Sequence, residues 1–258
     1  MCRLLAYTGP EISLHNLISN TEHNLHKQAW QPREMREATL NADGFGIGWD
    51  NEGPVAARYR QSIPIWNDPN LADFSHSLQR KLWLAMVRSA TPGLGAHHDN
   101  TQPFRYQNWL FMHNGYIADF AQTARGEIRN ILHHDFENNI HGNTDSEYIF
   151  ALLLHFIHQH NDTALAIKST MTYIADIIGK HSALLNIMLC DGNSVYATCH
   201  AINGLCPTLY YGKNITGFPE AGQLLASEAL NNDRSWQAVE DHQLIILQPD
   251  NEITLQAL

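Results

Sequence analysis

The chain of 258 residues is 44% hydrophobic and only 16% charged, which supplies a sizeable core and differs from the composition of a disordered chain. Its 16 Lys+Arg against 26 Asp+Glu give a net charge of −10, a field that repels phosphate backbones and anionic lipid and argues against nucleic acid and membrane as partners. No uninterrupted apolar run reaches the ~18 residues of a spanning helix, and Gly9-Pro10 interrupts any secretory h-region, so a cytoplasmic chain is expected.

In chain order, Arg3 to Thr8 reads as a short apolar strand. Gly44-Phe45-Gly46-Ile47-Gly48-Trp49 is a strand with glycine at alternate positions, expected to pair with Val55 to Gln61 across the Asn51-Glu52-Gly53-Pro54 turn. Alternate glycines in a strand mark a place where another backbone approaches closely, and the substrate is one candidate for what lies above them. Leu82 to Ala90 and Trp109 to Met112 are further strands, each followed by polar residues. Thr144-Asp145-Ser146-Glu147 has a capping residue and an acidic first turn, and the apolar residues from Ile149 to Ile157 keep helical spacing. A second helix spans about Thr163 to Gly179. Strands return at Leu184 to Leu189, Val195 to Thr198, Leu209 to Tyr211, Leu224 to Ser227, Leu244 to Leu247 and Ile253 to Leu255. The order is strands, helices, strands, with no linker or repeat dividing it. This predicts one α+β domain over residues 1–258 in which both ends of the chain share a core.

Four cysteines, Cys2, Cys190, Cys199 and Cys206, form no CxxC pair and are expected to be free thiols, three of them small core residues. Cys2 differs by position. Removal of Met1 would put a thiol and a free α-amine on one residue, leaving a mature chain of 2–258. With reference pKa values of about 8.5 and about 7.7–8.0, the amine can take the thiol proton near neutral pH. That is an activated nucleophile without a separate histidine. Arg88-Ser89-Ala90-Thr91 supplies a guanidinium fork suited to a carboxylate. His113-Asn114-Gly115-Tyr116, placed at a strand end, offers an amide NH₂ beside a glycine N–H, the two donors an oxyanion hole needs. Asp145 stands at a helix start, where its carboxylate could meet an ammonium. Each segment alone also has an ordinary structural reading: a surface ion pair for Arg88, a hairpin turn for Asn114-Gly115, a helix cap for Asp145.

Together, Met1-Cys2-Arg3-Leu4-Leu5-Ala6-Tyr7, Asn41 to Trp49, Arg88 to Thr91, His113-Asn114-Gly115, Thr144 to Glu147 and Leu225-Ala226-Ser227-Glu228 resemble the class II glutamine amidotransferases among the N-terminal nucleophile hydrolases. Within that family the chain is similar to the stand-alone branch that contains the ergothioneine-pathway γ-glutamyl hydrolases and the glutathione-degrading subunits. The resemblance implies a four-layer αββα sandwich of mostly antiparallel sheets. It implies Cys2 as nucleophile, Asn114 and Gly115 as oxyanion donors, Arg88 and Thr91 at the substrate carboxylate and Asp145 at its α-ammonium. The activity implied is cleavage of a γ-glutamyl amide through a thioester, with γ-glutamyl-hercynylcysteine sulfoxide or a related small molecule as substrate and no cofactor. Where synthase-linked members carry Trp and His around the Arg-x-Ala-Thr motif, this chain has Ser89 and Pro92, which favours a leaving group larger than ammonia. The length also leaves no synthase domain to use ammonia. Two alternatives stand beside this reading: a glutaminase subunit feeding ammonia to a partner chain, and a non-catalytic γ-glutamyl-binding regulatory subunit. A homodimer or a partner enzyme subunit both stay open.

The 16 histidines, including His155, His158 and His160, show no metal-ligand spacing, and no metal is expected. The Gly44-x-Gly46-x-Gly48 run is not a dinucleotide or phosphate loop, and Ser146 and Ser227 lack a nucleophile-elbow context.

Overall fold

The computed structural model describes residues 2–36, 39–90 and 97–258. In chain order its elements are β1 (Arg3–Ser13), α1 (Leu14–Ile18), α2 (Leu25–Trp30), β2 (Phe45–Trp49), β3 (Ala57–Gln61), α3 (Leu71–Ser77), β4 (Gln79–Val87), β5 (Phe104–Tyr106) and β6 (Trp109–Ile117). These are followed by α4 (Phe120–Thr123), α5 (Arg125–Ile131), α6 (His134–Glu137), α7 (Asp145–His160) and α8 (Thr163–Ile178). The chain then returns to strands: β7 (Ala183–Cys190), β8 (Val195–Cys199), β9 (Ala201–Ile202), β10 (Tyr210–Lys213), β11 (Gln223–Ala226), β12 (Gln237–Ala238), β13 (Gln243–Leu247) and β14 (Ile253–Ala257).

Two antiparallel sheets result. The first runs β12-β10-β11-β1-β4-β2-β3 and the second β14-β13-β8-β7-β6-β5, with β9 paired to β7. Each takes strands from both halves of the chain, as the shared-core reading predicted. The period of two along the strands sorts side chains into three apolar layers. Leu4 and Ala6 of β1, with Leu84 and Met86 of β4, meet Leu110, Met112 and Met188 of the second sheet. The intervening Leu5, Tyr7, Trp83 and Ala85 turn outward onto Leu14, Leu17, Leu25 and Leu71 of α1, α2 and α3. On the far side, Phe111, Leu185 and Ile187 pack beneath Ile149, Phe150, Leu153, Ile167 and Ile174 of α7 and α8. Three cores between four layers make an αββα sandwich.

Differences from the sequence reading are local. The first third holds α1, α2 and α3 as well as strands. At five to seven residues each they are too short to show a helical period, yet they cover one face of the first sheet. Trp109 to Met112 continues through residue 117, so His113, Asn114 and Gly115 lie inside β6, opposite Ile187, Asn186 and Leu185 of β7. Neither a strand end nor a hairpin turn is formed there, because a full ladder with β7 outweighs the local preference of an Asn-Gly pair. The β2–β3 pairing across residues 51–54 is present. Gly46 and Gly48 do face a close approach, and their neighbours are the Gln102 carbonyl and Pro103, in the segment leading into β5, and Leu110 of β6, which occupy the space the glycines leave. Among the described residues no helix is long and apolar enough to cross a membrane.

Candidate active site

Cys2 immediately precedes β1, and the β1–β4 register, which pairs Arg3 with Val87, sets it beside Arg88 just past the end of β4. Its side chain is buried within the inter-sheet layer, and the thiol donates to the carbonyl of Ser89 at 3.8 Å. Arg88 is also buried, which removes it from the surface ion-pair reading, and Nη1 donates to the Asp43 carbonyl at 3.2 Å. Burial lowers its pKa, while the nearby Cys2 sulfur and Asp43 carboxylate favour the charged guanidinium. Two segments read separately in the sequence thus form one structure. Asp43 N–H donates to the Arg88 carbonyl at 3.0 Å, Arg88 N–H to the Gly44 carbonyl at 2.8 Å, and Ala90 N–H to the Asp43 carboxylate at 2.8 Å. Thr91 lies outside the described residues.

On the facing sheet, Asn114 has the same parity along β6 as Met112, so its amide points into the inter-sheet layer. It is fully buried, and neither its Nδ2 nor its Oδ1 has a hydrogen-bond partner among the described residues. A buried amide left unpaired costs about 1–3 kcal/mol. An amide with free donors in a buried site can, chemically, receive an oxygen on which negative charge develops. Gly115 is required sterically: a side chain there would run into the Leu184 carbonyl and the His113 ring.

Asp145 is the first residue of α7; the cap itself is Thr144, whose hydroxyl accepts from the Glu147 N–H. The Asp145 carboxylate accepts from Ile117 N–H at 2.7 Å and from Ser146 N–H at 2.7 Å, which ties the helix start to β6 three residues beyond Asn114. A carboxylate has about four acceptor sites, so an ammonium can still be received. His113 braces the same junction. Its Nε2 lies 2.8 Å from the Leu184 carbonyl, which can only accept, so Nδ1 accepts from Ser146 Oγ at 2.9 Å. Burial lowers the His113 pKa against the opposing pull of Asp145 and keeps the ring neutral in this role.

Four residues in the supporting structure, Arg3, His23, Ser227 and Glu228, carried no signal in the sequence that could connect them. Arg3 Nε donates to the Cys2 carbonyl at 2.8 Å, and its Nη1 reaches Glu228 at 2.8 Å. The other Glu228 oxygen accepts from His23 Nε2 at 2.6 Å, and Arg33 and Glu34 add backbone N–H donors at 2.9 and 3.0 Å. Ser227, the preceding residue, accepts from Leu4 N–H at 3.0 Å and donates its own N–H to the Leu4 carbonyl at 2.9 Å. The Ser227-Glu228 motif therefore grips the first residues of the chain. Burial alone would raise the Glu228 pKa, but the His23 bond, the backbone donors and Arg3 outweigh it and hold the group at about 2. A folded pKa below the ordinary 4.5 contributes stability above pH 4.5 that is lost as pH falls toward 2. Glu228→Ala strands a buried guanidinium and should destabilise the fold by about 3–5 kcal/mol at pH 7. Urea unfolding at pH 7 measures this, and the gap between wild type and variant should close as the pH approaches 2.

His155 and His160 are hydrogen-bonded to Gln159 and Ser169 at 2.8 and 3.0 Å, in line with their reading as ordinary polar residues.

The family described as glutamine amidotransferases class-II matches residues 1–210. A Mycobacterium tuberculosis protein named gamma-glutamyl-hercynylcysteine sulfoxide hydrolase is 29% identical over 259 aligned positions, covering 100% of this chain and 97% of that one. A probable glutamine amidotransferase of Saccharomyces cerevisiae is 33% identical over 164 positions, 60% of this chain and 45% of the yeast protein. A glutamine aminotransferase class-II domain protein from Silicibacter pomeroyi superposes with a TM-score of 0.73 at 23% identity, covering 99% of both chains. The Bacillus subtilis glutamine phosphoribosylpyrophosphate amidotransferase superposes with a TM-score of 0.65 at 16% identity, over 99% of this chain and 49% of its own. With the sandwich, the cysteine at position 2 and the facing Asn114 in place, this chain belongs to the class II glutamine amidotransferases.

Proposed function

We propose that the chain is a γ-glutamyl amidohydrolase built as one unit over residues 1–258, with Met1 removed and Cys2 as its nucleophile. The observation that carries this is the buried, unpartnered Asn114 amide on the inter-sheet face, in a sandwich whose opposite sheet presents Cys2 and Arg88. Arg88, with Thr91, receives the α-carboxylate of the glutamyl group and Asp145 its α-ammonium. The Cys2 α-amine takes the thiol proton as Sγ bonds to the carbonyl carbon of the γ-amide, and the carbonyl electrons move onto oxygen. Asn114 Nδ2 and the Gly115 N–H hold that oxyanion. As it collapses, the C–N bond breaks and the ammonium returns a proton to the leaving amine. Water then attacks the thioester, giving up its proton by the same route, and glutamate leaves as the thiol reforms.

A leaving group larger than ammonia is favoured over the glutaminase reading by a cavity of about 230 Å³ lined by Arg36, Tyr116, Ser182, Leu184, Leu205 and Pro207. Tyr116, which lines it, lies on the same inner face of β6 as Asn114, two residues along the strand. Arg36 gives it a cation suited to a carboxylate on the departing amine. Gamma-glutamyl-hercynylcysteine sulfoxide, named in the mycobacterial relative, has a leaving group of this kind.

Glutamate release from that compound, from glutathione and from glutamine separates the readings. The proposal expects the highest kcat/KM on a substrate with a large, carboxylate-bearing leaving group, whereas preference for glutamine would support ammonia supply. Arg36→Ala should lower kcat/KM for the carboxylate-bearing substrate about tenfold relative to glutamine, the loss of one charge-assisted hydrogen bond. An unchanged ratio would remove Arg36 from the leaving-group pocket.

A further inference from the structure

The three cysteines other than Cys2 were expected to be core residues, and Cys190 is one: it is buried in β7, and burial holds its thiol well above the usual range. Cys199 and Cys206 are buried in the inter-sheet core as expected, and in addition they lie beside a carboxylate. Cys199 ends β8, Cys206 lies in the segment between β9 and β10, and Asp241 precedes β13. The fold brings these three positions together. Cys199 carbonyl accepts from His242 N–H at 2.7 Å, which places Asp241 alongside, and the Asn186 amide donates to the carbonyls of Pro207 and Thr208 at 2.8 and 3.2 Å, which holds Cys206 in place. Both sulfurs and a carboxylate oxygen of Asp241 lie within 4.8 Å of one another. All three residues line a cavity of about 180 Å³, with the cysteines buried and Asp241 exposed at its mouth.

We propose that Cys199, Cys206 and Asp241 form a zinc site. In tetrahedral zinc coordination, bonds of about 2.3 Å to sulfur and about 2.0 Å to oxygen put neighbouring ligand atoms roughly 3.5–3.8 Å apart, so the three atoms need close by only about an ångström. Two thiolates exclude magnesium and calcium, which take oxygen ligands, and the carboxylate with an open tetrahedral position suits zinc, its fourth ligand a water in the cavity. Binding releases both thiol protons to solvent and replaces the 3.5 Å hydrogen bond from Cys199 Sγ to the Pro207 carbonyl. The ion would pin the segment carrying Leu205, Cys206 and Pro207 to β8 and to the start of β13. Leu205 and Pro207 also line the cavity beside Tyr116, so the zinc site and the leaving-group cavity share a wall. The sequence showed no such site because positions 199, 206 and 241 match no metal-ligand spacing.

The test uses full-length protein in reducing buffer, loaded with zinc alone and desalted. One equivalent of retained zinc is expected in wild type and in Cys2→Ala, with at least a tenfold weaker affinity in Asp241→Asn and loss of retained zinc in Cys206→Ser. Cobalt in place of zinc should show the near-ultraviolet charge-transfer bands of thiolate ligation. In wild type, zinc should protect Cys199 and Cys206, identified by peptide mapping, from alkylation, a readout that needs no variant to fold. Absence of retained metal, equal retention in wild type and Asp241→Asn, or a Cys199–Cys206 disulfide that persists in reductant in place of metal would each overturn the proposal.

Discussion

Cys2→Ala is expected to lower glutamate release by about 10⁴-fold or more, because removing the nucleophile removes the covalent pathway and leaves only the binding and oxyanion contributions. The substitution deletes one sulfur from a buried residue at the start of β1, whose position is held by Arg3, Leu4 and their bonds to Glu228 and Ser227 rather than by the thiol. Thermal unfolding should therefore change little while turnover collapses. Binding of glutamate or an unreactive γ-glutamyl analogue should survive, because Arg88 and Asp145 are untouched. Full turnover in this variant would remove Cys2 from the chemistry and favour the regulatory-subunit reading.

Asn114→Ala is the second large effect. On the proposed mechanism this removes one oxyanion donor, so kcat is expected to fall by about 10²–10³-fold, or about 2.7–4 kcal/mol of transition-state stabilisation. The direction of the stability change makes this variant informative. Asn114 is buried with no partner for its amide among the described residues, so replacing it by alanine removes an unpaired polar group and should leave the fold as stable or more stable. A residue kept for packing would show the reverse pattern, stability lost and kcat retained. Steady-state kinetics with a denaturant titration on the same preparation distinguish the two outcomes. KM should move less than kcat, since the donor acts on the oxyanion more than on the ground-state carbonyl.

What the sequence conveyed about this site came from local chemistry. Thr144 followed by acidic residues and a helical period marks the start of α7 because capping and amphipathicity act within a few residues. The β2–β3 hairpin was legible from its turn for the same reason. Asn114-Gly115 was misplaced to a strand end because the dipeptide's turn preference is local, whereas its eight-pair ladder with β7 comes from a segment some seventy residues later. Glu228 could be recognised as part of a motif but not connected to Arg3, since 225 residues separate the two and only the β1–β11 pairing brings them together. Asp43 and Arg88 likewise appeared as separate motifs, although their backbones are hydrogen-bonded to each other. The Cys199, Cys206 and Asp241 cluster was invisible for a related reason: its members come from the end of β8 and from the connections before β10 and β13, and side chains that converge only in the folded chain leave no spacing to read.

The central claim, an N-terminal thiol that carries the glutamyl group, is tested most directly by intact-mass and peptide mass spectrometry of protein quenched with acid during turnover. The account predicts a chain that begins at Cys2, with Met1 absent, and a fraction of molecules heavier by one γ-glutamyl group located on the Cys2 peptide. That adduct should be missing in Cys2→Ala and should accumulate when the water step is slowed. Full turnover by a chain that retains Met1, or a γ-glutamyl adduct on any residue other than Cys2, would contradict it.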